Sequence, residues 1–166
     1  MAIFCNDGRL GIADLATVDT AARVPLGTII TGYDSVTERE GEYIYTKFNA
    51  TTTVGQLCKI DSTNESTLFD NDTDANLGCP VGWAVGASYA ADEFGWLQIA
   101  GKVKAKAGTV AANGKVYGTA TGGTVDDAAV AGCQIYGAKF VTTDGTPAAG
   151  FAYVECNRPH SMATTA

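Results

Sequence analysis

The chain is poor in the side chains on which most catalysis depends. It has a single histidine, His160, and only two methionines and two tryptophans in 166 residues. Nucleophilic sites of the Ser-His-Asp or Cys-His kind need a base held within hydrogen-bond reach by a rigid scaffold. His160 falls in the closing segment "NRPHSMATTA", which is badly placed for that role, so histidine-dependent catalysis is not expected. Cations are scarce too, with 11 Lys and Arg against 18 Asp and Glu and a net charge of −7. That balance argues against a nucleic-acid backbone as the main partner. No apolar run approaches the ~20 residues of a membrane helix. The opening "MAIFCNDGRL" meets a charge at Asp7, so neither a membrane span nor a secretory signal is expected.

The five cysteines (Cys5, Cys58, Cys79, Cys133 and Cys156) are odd in number, widely spaced and without a CxxC pair. Free thiols and cytoplasmic synthesis are the expectation, and no zinc-ligand spacing exists. Asp70, Asp72 and Asp74 match the start of a calcium-loop template. Ala75 stands where that template has glycine and Val81 where it has glutamate, so the match fails. A looser cation site at 70–74 and a solvated acidic loop are the alternatives. Asp92 and Glu93 are adjacent in a turn and Glu155 ends a strand, so nothing places two carboxylates across a cleft. The run "GTATGG" lacks the G-K-[ST] ending of a phosphate loop. No catalytic residue, cofactor or metal is expected.

What the chain does have is glycine, 20 copies scattered between short β-branched runs, the pattern of many strands and turns. "EYIYTKF", "VGQLCKID", "PVGWAVGASYA", "CQIYGAKFVTT" and "GFAYVEC" read as strands. The clearest is "FGWLQIAGKVKAKAG", where Lys102, Lys104 and Lys106 alternate with Val103 and Ala105, a half-buried strand. Asn113-Gly114 predicts a two-residue hairpin turn, and the polar segment 61–79 predicts an exposed loop. Thr124 with Asp127 three residues on predicts a helix cap and one short helix over 124–131; a second short helix is conceivable at 14–22. The fold class is therefore all-β, a small β-barrel, β-tulip or sandwich. It divides into an N-terminal arm (1–40), a β body (41–156) and a flexible tail (157–166). The arm could wrap its own domain or a neighbouring subunit.

Two features suit binding. Lys102, Lys104 and Lys106 form a row of cations that fits an acidic patch on a partner or serves as a solvated outer face. Trp83 and Trp96 could stack on sugar rings, as in a carbohydrate-binding module, or belong to the core. The charge is uneven: residues 1–93 carry 14 acids and 5 bases, the remainder 4 acids and 6 bases.

Residues 54–156, about three fifths of the chain, resemble the small decoration (cement) proteins of tailed bacteriophage capsids. The likeness is carried by "PVGWAVG", "WLQIAGKVKAKAG", "VAANGKVYGTATGGTVDDAAVAG" and "CQIYGAKFVTTDGTPAAGFAYVE"; residues 1–53 lie outside it. The resemblance implies a homotrimeric β-barrel or β-tulip body, made in the host bacterial cytoplasm. On the outer surface of the virion it would bind the major capsid protein and bridge capsomers against internal pressure. A tail or head-fibre component is the related alternative.

Overall fold

The computed structural model describes residues 2–6, 14–71 and 78–162. Among these there are thirteen strands and no helix. In chain order they are β1 (Ile3–Cys5), β2 (Ile29–Asp34), β3 (Arg39–Phe48), β4 (Thr52–Thr53), β5 (Leu57–Ile60), β6 (Glu65–Leu68), β7 (Val81–Ala84), β8 (Ser88–Tyr89), β9 (Phe94–Lys106), β10 (Lys115–Gly118), β11 (Val125–Asp126), β12 (Gln134–Phe140) and β13 (Phe151–Ser161). Eleven belong to one mixed sheet, and β4 and β8 pair separately. The all-β class holds.

The sheet closes on itself twice, and β9 is the seam. β3 pairs with β6, β6 with β5, β5 with β7, β7 with β9, and β9 with β3 again. A second circuit runs from β9 through β13, β12 and β10 to β11. It returns by the bridge between Val125 and Ala107, next to the end of β9. Closure of this kind removes open strand edges.

Three cores follow from the two circuits. The first ring encloses Phe48, Cys58, Ile60, Leu97 and Ile99. The second encloses Val103, Ala105, Val116, Ile135, Phe140 and Val154, with Leu57 and Trp83 closing one end. The third lies on the outside of β3 and β9, where Tyr43, Tyr45 and Trp96 are covered by Ile3, Leu15 and Ile30. β9 serves all three, which is why "FGWLQI" is apolar on both faces and "KVKAK" on one. Each fully buried large apolar side chain contributes on the order of 2 kcal/mol. Gly101 lets β9 change partners. Its φ is +96°, and a Cβ there would lie 2.7 Å from the Glu40 carbonyl oxygen, a backbone state that glycine alone adopts readily.

Several expectations are corrected by these pairings. No helix forms over 124–131: Val125 is buried and pairs with Gly118 in β11. The Thr124 hydroxyl has no hydrogen-bond partner, and the Asp127 carboxylate accepts from the Ala111 amide. A turn or two of helix is marginal without packing, and here the packing favours a strand. Nor is there a helix at 14–22, where Asp14 bridges Phe4 and Asp19 bridges Phe94.

The polar loop 61–79 contains β6. Asp61 turns the chain by accepting from the Thr63 and Glu65 amides. Ser66 is then buried against Thr46, hydroxyl to hydroxyl at 3.2 Å. The expected hairpin at Asn113-Gly114 does not form: the turn before β10 centres on Ala112 and Asn113, and β10 pairs with β11 and β12 rather than with the preceding β9. The expected tail is ordered through Ser161, because β13 continues to a bridge with Pro80 and Ser161 is buried against Cys79. The described part of the expected arm joins the same sheet through β1 and β2, so it packs on its own chain.

Candidate functional site

The lysine row is set by the second circuit. Val103 and Ala105 point into its core, which turns Lys102, Lys104 and Lys106 to the outside. The β9–β13 register is continuous there, with Lys106 opposite Phe151, Lys104 opposite Tyr153 and Lys102 opposite Glu155. Partners in such a register share a face. Two of the three lean to the diagonal aromatic: Lys104 Nζ lies 3.9 Å from the Phe151 ring centroid and Lys102 Nζ 4.2 Å from that of Tyr153. These contacts hold Lys102 and Lys104 in line along the strand. Burial, and secondarily the Asp34 carboxylate, raises the pKa of the Tyr153 phenol, so that ring stays neutral beneath its lysine.

Two further lysines face outward elsewhere on the second circuit. Lys139 on β12 stands opposite Glu155, and Lys115 on β10 stands opposite Lys139. Lys139 and Lys115 thus point outward two and three strands further round the closed circuit, with Glu155 and Asp126 on the same outer surface, while Asp34 lies beside Lys104 and Tyr153. Among the described residues none of Lys102, Lys104 and Lys106 enters an ion pair. Three other cations do so: Arg23 with Asp19 at 2.8 Å, Lys47 with Asp92 at 2.7 Å, and Arg158 with Glu42 at 2.9 Å. Lys115, Lys139, Phe151 and Tyr153 were not singled out by the sequence reading. The available signal was the "FAYVE" alternation, which puts Phe151, Tyr153 and Glu155 on one side and Ala152 and Val154 on the other.

The other candidates lie elsewhere. Trp83 and Trp96 are 0% and 1% exposed; Trp83 is in the second-ring core and Trp96 packs on Tyr45 at 4.9 Å. Neither offers a ring face to a sugar. His160 sits on β13 with its ring 5.7 Å from that of Tyr136. None of the five cysteines is in a disulfide. Burial pushes the Cys58 thiol up to about 12 and also raises that of Cys156, which holds both as inert thiols. Of the expected cation loop, Asp72 and Asp74 lie outside the described residues. Among the described residues no three His, Cys, Asp or Glu side chains gather at metal-binding distance, and no helix is long and apolar enough to cross a membrane.

The arrangement can therefore present a rigid row of cations, backed by aromatic rings, to an anionic surface. No protein-family model matches the chain, and no curated protein sequence matches it.

Proposed function

We propose that this chain is a non-enzymatic structural protein of a tailed-phage virion, docking on the outside of the capsid through its lysine face and stabilising the shell by bridging subunits. The observation that carries this reading is the outward row of Lys102, Lys104 and Lys106 along one strand of a chain whose net charge is −7. Charge segregated in this way steers and orients association with an acidic surface. A partner bearing carboxylates, such as an acidic patch of the major capsid protein, is the chemistry that fits. The sequence resemblance over 54–156 points the same way. The sugar-binding alternative loses its support with the two tryptophans buried.

The test is co-sedimentation with purified expanded phage shells. Lys102→Glu combined with Lys104→Glu should abolish binding at physiological salt while circular dichroism stays unchanged, and wild-type binding should weaken as salt rises. Shell occupancy unchanged in the double variant would remove the lysine face from the docking role.

A further inference from the structure

Among the described residues a second face of the molecule is apolar and exposed. On β2, Ile30, Gly32 and Asp34 are buried while Ile29, Thr31 and Tyr33 face out. Phe4 of β1 lies directly opposite Tyr33, and the two rings are 50% and 38% exposed. Four residues along β2, roughly 13 Å away, Ile29 stands opposite Ile44. There a groove of ≈ 280 Å³ opens at the mouth of the first ring, lined by Ile29, Ile44, Ile60, Ile99, Pro80 and Pro159 among others. A cavity of about 150 Å³ accepts benzene, so this groove has room for an aromatic side chain. Knob and hole thus lie on one face.

We infer that this face docks a second copy of the chain, the Phe4–Tyr33 knob of each copy entering the aliphatic groove beside Ile29 of the other. Three observations select that occupant. A surface with both knob and matching hole is self-complementary, which is what a two-fold interface requires. The charges between them nearly cancel. Glu42 is paired with Arg158 at 2.9 Å and Glu40 accepts from the Asn6 amide, so two acids and one base leave −1 here against −7 for the whole chain. Two such faces meet with little like-charge repulsion.

Area is the third. Phe4, Tyr33, Ile29 and Tyr136, the last against His160 at the groove rim, expose on the order of 300 Å² of side chain. That is about two fifths of the ~800 Å² per partner of a standard interface. The groove walls and the Glu40–Glu42–Arg158 rim supply the rest.

Light scattering and sedimentation velocity on the full chain test this between about 1 and 200 μM, where mass action reveals a reversible dimer. The expected mass is twice 17.1 kDa. Phe4→Asp and Ile29→Arg should each weaken pairing about 30-fold or more, the effect of losing one hot-spot side chain. Val141→Asp, exposed away from this face, should leave the mass unchanged. Near-ultraviolet circular dichroism of the buried tryptophans confirms the fold of each variant. A mass of 17.1 kDa at every concentration, or a larger assembly that survives Phe4→Asp, would overturn the inference. Shell binding is read separately: a monomer that still sediments with shells refutes the pairing alone, and a dimer that ignores shells refutes only the docking role.

Discussion

If the lysine row is held by its aromatic partners, Lys104 and Phe151 should be energetically coupled. Lys104→Met removes the charge and keeps the stem; Phe151→Leu keeps apolar bulk and removes the ring. The ammonium lies 3.9 Å from the ring centroid, and both side chains are half-buried. Cation–π pairs contribute ~0.5–1 kcal/mol when exposed and ~2 when desolvated, so a coupling of about 1 kcal/mol is expected. Lys102 with Tyr153, at 4.2 Å and with Glu155 directly opposite, should couple by about half that. Urea unfolding of wild type, the two single variants and the double variant, followed by tryptophan fluorescence, gives the interaction energy as the non-additive remainder. The slope of each transition should stay constant, since none of the changes alters the surface exposed on unfolding. A remainder within about 0.2 kcal/mol of zero for Lys104 and Phe151 would mean that the ammonium does not sit over the ring. The row would then be a set of mobile side chains rather than a preorganised surface.

Two further predictions concern the scaffold. Burial raises Cys58 from 9.0 to about 12 and Tyr45 from 10.0 to about 12, so the fold favours their neutral forms. Their stabilising contribution is complete below the unfolded pKa values and is lost as pH rises through the folded ones. The urea midpoint should therefore fall from about pH 9 towards pH 12; a midpoint level across that window contradicts the assignment. Gly101→Ala should cost on the order of 2 kcal/mol or more from positive φ and the crowded Glu40 carbonyl. Gly145→Ala, at φ +86° with nothing within 4 Å of the new Cβ, should cost about half as much, since strain acts there alone. Equal losses at the two sites in thermal unfolding would remove crowding at Gly101 from the account.

The parts of the fold legible in the sequence are those with local causes. The alternation of "KVKAK" turned three lysines outward, and the β-branched runs between glycines marked most strands. What stayed hidden depends on partners distant in sequence. "ESTL" reads as a loop because its polar residues give no apolar stripe. It becomes a strand because Thr46 supplies a hydroxyl for the buried Ser66. Thr124 and Asp127 carry a helix-cap pattern, yet the Val125 side chain finds a fully buried site only when extended. The neighbours of the lysine row were invisible for the same reason. Nothing local says that "FAYVE" lies beside "KVKAK", with 44 residues between Lys106 and Phe151, or that Lys139 follows across the next strand. The tryptophans show the reverse: their type suggested a surface role, and the three-core packing of the sheet encloses them.

The shared seam has a consequence for how the molecule comes into being. Both circuits need β9, whose partners lie some fifty residues away on either side: Ile44 meets Leu97, and Val103 meets Val154. A nascent chain cannot close the first circuit until β9 has been made, nor the second until β13 follows. Topologies dominated by such distant pairings form in milliseconds to seconds rather than microseconds. Once formed, neither half can come apart without stripping a strand that the other half requires. The two circuits should therefore melt in one cooperative step, although each has a core of its own.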